Sequence, residues 1–423
     1  MLAGVCVTFP STMPGSIESF PRTTDVLNLV SAGLLFSALF MSSLLHRAVY
    51  GILLVWVMTL PWVFMEICAL AGAPDPPVQR LLIRWILCGF SAYLITAVAE
   101  KPVLRAYFLY GLLAGVIFSL LTVFYDFLTF SPANLPIEEL VNLAITNDSK
   151  DIYDFAWRAY GIFGHPNGAA GCVLVGVPLI IGAIQEGRLP RWSMLFALAL
   201  MVSVFYLTKS RGPLVVSVAL IAFWIWSQTA GLRLLIVFAG LVAMLGVLAA
   251  GGLRTGWSGN DGVLLARFLD LDSISINVGD RWWTIATSLD LMLRNPLGMG
   301  SAYIEPLEIA TGTRATHLAY FELALMGGIA LMAFVVIRLV GAATLLLTPW
   351  RPVEAWLAAY LLGIFAFESY FLQVNIQLMT LWLVISPLRS SIASQAASRA
   401  GTPGKSLRGQ GSAVKSAVRG SAR

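Results

Sequence analysis

Residues 105–129 read Arg105-Ala-Tyr-Phe-Leu-Tyr-Gly-Leu-Leu-Ala-Gly-Val-Ile-Phe-Ser-Leu-Leu-Thr-Val-Phe-Tyr-Asp-Phe-Leu-Thr129. Arg105 and Asp126 are the only charged side chains, and the 20 residues between them carry none. An α-helix needs about 20 mainly apolar residues to cross a hydrocarbon core of roughly 30 Å. This stretch therefore reads as a transmembrane helix with one charged group at each edge.

Working outward, comparable apolar blocks lie near 26–45, 49–71, 81–99, 167–185, 192–209, 213–228, 232–250, 317–340, 353–370 and 374–388. Residues 1–25 form an N-terminal segment whose apolar part, 2–10, is too short to cross and counts at most as a partial helix. The expected fold is an all-α polytopic membrane protein with about 11–12 transmembrane helices over residues 26–389. Composition agrees: 58% of the 423 residues are hydrophobic and 12% charged, about half the charged share of a water-soluble domain. Mean hydropathy is +0.82.

The net charge of +5 is a property of the tail. Residues 390–423 hold Arg399, Lys405, Arg408, Lys415, Arg419 and Arg423 and no acid. A Ser-, Gly- and Ala-rich basic segment of this kind reads as a disordered cytoplasmic tail near anionic lipid, not as a nucleic-acid surface. Counting back from it places Arg338, Arg351, Arg233, Arg188, Arg191, Lys101, Arg105 and Arg47 on the cytoplasmic side. The acidic loop 130–160, the Lys209–Arg211 turn and the long segment 254–316 fall on the opposite side. Arg80 and Arg84 are the clearest exceptions to the charge rule. Cys6, Cys68, Cys88 and Cys172 show no CxxC spacing and suggest neither a disulfide framework nor a zinc site.

Segment 254–316 is too long for a connector. Within it Trp282, Ile285, Ala286 and Leu289 recur at helical spacing, predicting a short amphipathic helix at the membrane surface. Asn295-Pro296, Gly298 and Gly300 end it.

Four polar clusters fall on the non-cytoplasmic side: Arg158-Ala-Tyr-Gly-Ile-Phe-Gly-His165-Pro-Asn167, Lys209-Ser-Arg211-Gly-Pro213, Arg281-Trp-Trp-Thr-Ile285, and His317 with Gly327-Gly328 ten residues on. Guanidinium is always charged and matches phosphate oxygens two at a time, so Arg211 and Arg281 suit a lipid-anchored pyrophosphate. The competing reading is snorkelling to headgroups, to which Lys209, Arg158, Arg254 and Arg314 are assigned. His317 suits proton removal from a hydroxyl, or simply a hydrogen bond where a helix begins. In His165-Pro166-Asn167 the Pro and Asn suit a helix start, so a structural role competes with a chemical one. Glu66, Glu322 and Glu368 lie in or near spans, where carboxyls are expensive and face a cavity or partner. The Gly327-Gly328 pair suggests close helix packing. The chain has no P-loop, GxGxxG, HExxH or GxSxG pattern, and no cofactor or metal site is expected.

Taken in this order, the motifs resemble the O-antigen ligase and Wzy polymerase superfamily of bacterial envelope glycosyltransferases. The resemblance rests on Arg158…Gly161-Ile-Phe-Gly-His165-Pro-Asn167, on Ser210-Arg211-Gly212, and on Arg281…Asn295-Pro-Leu-Gly-Met-Gly300 followed by His317 and its glycines. It covers roughly residues 158–340. It implies a GT-C-like helical fold with a large periplasmic loop in the bacterial inner membrane. The implied donor is an undecaprenyl-diphosphate-linked glycan and the implied acceptor lipid A-core or another glycan, with metal-independent chemistry on the periplasmic face. Carried over, Arg211 and Arg281 engage the donor diphosphate, and His317, separated from Gly328 by ten residues, assists the acceptor hydroxyl. Arg158, His165 and Asn167 join the substrate-binding set. Many members have Asn after this histidine, where this chain has Leu318. The His-x10-Gly spacing favours a ligase; a Wzy-type polymerase is the alternative. A flippase or other transporter is the competing class.

Overall fold

The computed structural model describes residues 45–69, 76–99, 102–129, 159–163, 166–208, 210–228, 271–313, 318–348 and 351–367, with a few isolated positions including Thr316. For residues 271–280 and some helix ends it describes the backbone alone. The expected segments 1–25 and 390–423, the span 232–250 and nearly all of loop 130–160 lie outside the described residues. So do most of the spans 26–45 and 374–388.

Among the described residues every regular element is helical. Twelve α-helices are present: α1 (Leu45–Ala69), α2 (Pro76–Ala99), α3 (Pro102–Thr129), α4 (Pro166–Val173), α5 (Gly176–Gln185), α6 (Met194–Thr208), α7 (Arg211–Trp226), α8 (Leu271–Arg294), α9 (Ile304–Thr311), α10 (Ala319–Gly327), α11 (Ile329–Ala343) and α12 (Val353–Ile364). Among the described residues four helical stretches are long and apolar enough to cross a membrane: Arg105–Thr129, Pro166–Gln185, Arg191–Thr208 and Ile329–Leu347. Large apolar side chains cover the outside. On α1, Leu53, Trp56, Val57, Leu60, Phe64 and Ile67 are exposed along one face, and on α3 Ile117, Leu121, Phe124 and Leu128 are exposed. Water would not tolerate so much contiguous apolar surface on a monomer; lipid does.

The centre is built from α4, α5 and α12. Nearly every residue of α4 and α5 is buried. The helices approach closely because glycines leave room: a Cβ on Gly182 would stand 2.5 Å from the Val353 Cα, and one on Gly363 2.7 Å from the Val216 Cγ1. Tyr360 of α12 donates its hydroxyl to the Gly171 carbonyl at 2.9 Å. In a bilayer, small residues of this kind replace the hydrophobic effect as the means of joining helices.

The two ends of the bundle differ. At one end Arg105 donates to both Glu186 oxygens at 2.7 Å and to both Glu354 oxygens at 2.8 Å. Arg188 and the Val353 amide also donate to Glu186. Burial by itself would raise the Glu186 carboxyl, but the hydrogen bonds and charge of Arg105 win and hold it below its usual value. This cluster joins the start of α3, the end of α5 and the start of α12. At the other end of α3, Asp126 Oδ2 accepts from the Tyr160 and Gly161 amides, both at 2.9 Å. The Ala159 amide donates to the Leu207 carbonyl at 3.0 Å. We call these the ion-cluster end and the motif end.

Two sequence expectations are corrected. The span expected over 317–340 is two helices, α10 and α11, broken at Gly328, whose φ is +90°. The glycine pair therefore serves as a break in the helix. The short amphipathic helix is the 24-residue α8. Within the span expected over 353–370, α12 has 12 residues and ends at Ile364, with a turn over 365–367; residues 368–370 lie outside the described residues.

Candidate functional site

The segment before α7 decides where Arg211 stands. Ser210 has extended backbone and occupies the position where a side chain would cap α7, yet its hydroxyl makes no capping bond. It donates instead to Asn167 Oδ1 at 2.9 Å. Asn167 follows Pro166 in the first turn of α4, so Pro166 opens that helix as its sequence position suggests. One hydroxyl thus ties the start of α4 to the start of α7. Pro213 sits in the first turn of α7, where its missing N–H costs nothing.

Arg211 is the first residue of α7 and is half-buried. Arg281, on α8, is also half-buried and donates through Nη1 to the Phe367 carbonyl at 3.4 Å. That carbonyl belongs to the turn that ends α12. The last carbonyls of a helix have no intrahelical partner and carry its negative dipole end. Here three of the carbonyls about that end are taken by other elements: Leu362 by the Tyr320 hydroxyl at 2.8 Å, Phe365 by the Ala319 amide at 3.1 Å, and Phe367 by Arg281.

Depth along α12 brings the two arginines to one level. Val216 packs on Gly363. At about 1.5 Å per residue, Arg211 lies about 7.5 Å from Val216 toward the motif end, and Phe367 about 6 Å from Gly363 in the same direction. Arg211 and Arg281 therefore both stand at the C-terminal end of α12, away from the Arg105 cluster.

The loop after α8 is locked in place. Gly298 and Gly300 have φ of +92° and +57°. A Cβ on Gly298 would stand 2.7 Å from the Gly328 amide nitrogen. The Met299 amide donates to Leu325, and the Ile329 amide to Pro296 at 2.9 Å. Residues 296–299 thus fill the break between α10 and α11 and supply the backbone partners that the broken helix lacks. On the other side Glu66, buried in α1, accepts from the Ser301 hydroxyl at 2.9 Å and from Trp62 Nε1 at 3.2 Å.

The structure thus gathers Asn167, Arg211 and Arg281 at one end of the bundle. Arg158, His165, His317 and Lys209 lie outside the described residues. The neighbours of His317 are described: the Thr316 hydroxyl donates to the Leu318 carbonyl at 2.7 Å, and the following Ala319 is tied to α12. Glu322 is buried in the first turn of α10, and Glu368 lies outside the described residues. Among the described residues no three His, Cys, Asp or Glu side chains gather where they could hold a metal ion. Sequence reading missed the roles of Asp126 and Ser210. Asp126 carried a signal, as a lone carboxyl at the edge of an apolar span; Ser210 carried none beyond its place in the motif. No protein-family model, no curated protein and no solved structure matches the chain.

Proposed function

We propose that this chain is a membrane glycosyltransferase of the O-antigen ligase and Wzy polymerase kind, acting at the motif end of its bundle. The feature that supports the reading is the bond of Arg281 to the Phe367 carbonyl past the C-terminal end of α12, with Arg211 opening the helix whose Val216 packs on Gly363. The α12 carbonyls of Leu362, Phe365 and Phe367 accept from Tyr320, Ala319 and Arg281, so one guanidinium is held at this helix end.

The reaction that fits is a single displacement. An oxygen of the acceptor hydroxyl forms a bond to the anomeric carbon as the bond from that carbon to the diphosphate oxygen breaks. Undecaprenyl diphosphate leaves with the electron pair, and the configuration inverts. Arg211 and Arg281 stabilise charge growing on the leaving diphosphate. His317 takes the acceptor proton. The first turns of α4 and α7, joined by Ser210 and Asn167, fix Arg211 in place. In this reading the motif end faces the periplasm of a bacterial inner membrane and the ion-cluster end faces the cytoplasm. The acceptor is lipid A-core; a polymerase would use a second lipid-linked glycan.

The test is deletion of the gene followed by lipopolysaccharide gels and extraction of undecaprenyl-linked glycans. Core without O-chains, with long polymer held on the lipid carrier, is the expected result. Core with a single repeat assigns the polymerase reaction instead. Unchanged lipopolysaccharide, together with no sugar transfer by purified protein in detergent, removes the glycosyltransferase reading in favour of transport.

A further inference from the structure

Leu112, Val116, Ser119 and Val123 are buried along the inward face of α3, and Asp126 is next on that face by helical spacing. Its Oδ2 accepts from two successive amides, those of Tyr160 and Gly161, both at 2.9 Å. Gly161 has a φ of +56°. Successive N–H groups beside a left-handed residue form a concave cradle that suits one anionic oxygen. Asp126 takes part in no salt bridge among the described residues, so hydrogen bonds alone join it to this segment. The cradle has no slack. A Cβ on Gly161 would stand 2.8 Å from the Val123 amide nitrogen and 2.9 Å from the Thr122 carbonyl carbon, so the backbone there lies directly on that of α3.

From this seat the chain reaches both sides of the turn that precedes Arg211. Ala159, just before the cradle, donates its amide to the Leu207 carbonyl at 3.0 Å, in the last turn of α6. After the cradle, a 3-10 turn over Gly161–Phe163 leads to Pro166 and Asn167 at the start of α4. Asn167 accepts the Ser210 hydroxyl at 2.9 Å, and the Ser210 amide donates to Thr208 Oγ1 at 3.3 Å. One segment therefore grips residues 207–210 at both ends, and Arg211 follows as the first residue of α7.

We propose that Asp126 is a positioning residue for the transfer reaction. It seats residues 159–161 on α3, and through the Ala159–Leu207 and Asn167–Ser210 bonds it sets where Arg211 presents its guanidinium. The effect on rate rests on the glycosyltransferase reading above; the mechanical link does not. A donor group that stabilises charge on a departing diphosphate has to be in place before the bond breaks. A misplacement of about 1 Å can cost on the order of 10²-fold in rate. Asp126 is assigned no contact with the reacting atoms, so its removal is read at Arg211.

The experiment compares the full wild-type chain with Asp126→Ala in nanodiscs of phosphatidylethanolamine and phosphatidylglycerol. Amide hydrogen exchange tests the link. Exchange should quicken over 159–163 and also over 204–208 and 214–218, the turns on either side of Ser210, and stay unchanged around Arg105 and Glu186. Faster exchange at 159–163 with the other two turns unchanged overturns the proposal. So does a rise spread evenly over the bundle, which would make Asp126 a general stability residue. If the alanine variant does not fold, Asp126→Asn keeps an acceptor oxygen without the charge, and the same segments decide by the same pattern with a smaller rise.

Transfer from an undecaprenyl-diphosphate-linked glycan tests the consequence. The kcat per folded molecule should fall by about 10-fold or more in Asp126→Ala, with Asp126→Asn recovering part of it. In Asp126→Ala combined with Ser210→Ala the loss should be smaller than the product of the two single losses, because both act on one turn. A kcat equal to wild type, or losses that simply multiply, overturns the positioning role. Wild-type protein that transfers no glycan overturns the glycosyltransferase reading and the rate effect with it, while the exchange pattern still decides the link.

Discussion

Arg105 and Glu186 meet as two parallel forks across 81 residues of chain, Nη1 on Oε2 and Nη2 on Oε1, each at 2.7 Å. Both side chains are largely buried, with 13% and 9% exposed. Arg105→Ala leaves two buried carboxylates facing one another without their shared cation. The expected loss is about 3–5 kcal/mol, seen as a lower midpoint of thermal unfolding in detergent. A midpoint equal to wild type would show that water reaches the cluster.

The same pair sets a pH dependence. The folded carboxyl of Glu186 holds its proton less tightly than the unfolded one, whose reference value is 4.5. As pH falls below that value the unfolded state takes up the proton first, so stability is lost as the folded value is approached. Unfolding midpoints should be flat from neutral pH to about 5 and fall in more acid buffer. Glu186→Gln should flatten the acid limb relative to wild type; an unchanged slope would assign it to other carboxyls.

Gly328 and Gly312 make a controlled comparison, since both have positive φ but only Gly328 is crowded. Gly312→Ala meets open space and costs the left-handed penalty of about 1–2 kcal/mol. Gly328→Ala adds contact 2.9 Å from the Leu297 carbonyl carbon and should cost more. Equal unfolding midpoints for the two variants would show that residues 296–299 yield without loss.

Ser210→Ala removes the donor to Asn167 and should cost about 1 kcal/mol. It should also reduce transfer by loosening the first turn of α7. Full transfer with unchanged stability would mean that Pro166 and Pro213 fix the two helix starts unaided.

Arg211→Lys and Arg281→Lys keep the charge but lose the planar fork. If the two residues stabilise the leaving diphosphate, each alanine variant should lose transfer by about 10²–10³, with lysine recovering part of it. The measurement is glycan transfer in membranes with protein level held constant. Full activity in both alanine variants would end the role assigned to them.

The helical class was legible because lipid imposes a coarse rule on composition, and blocks such as 105–129 obey it. Helix ends near proline were legible to within two residues: α4 opens at Pro166 where a span from 167 was expected, and α7 at Arg211 where a span from 213 was expected. The break at Gly328 was not, because apolar residues run through it and the partner that fills it, 296–299, is distant in sequence. For the site, Arg211 and Arg281 could be singled out as cations on a face where charge is unexpected. Their common level beside α12 was not readable, since it depends on Val216 meeting Gly363. Glu66 was visible as an intramembrane acid, but its partner Ser301 lies 235 residues away.

The loop that fills the helix break bears on how the chain is made. Residues 296–299 come off the ribosome before Gly328 does, so the acceptor at Pro296 already exists when the Ile329 amide needs it. Had the order been reversed, α10 and α11 would enter the bilayer with an unmet amide, a cost of several kcal/mol. A circular permutant that moves 295–300 behind α11 would therefore be expected to insert poorly, even though every contact of the finished protein is available to it.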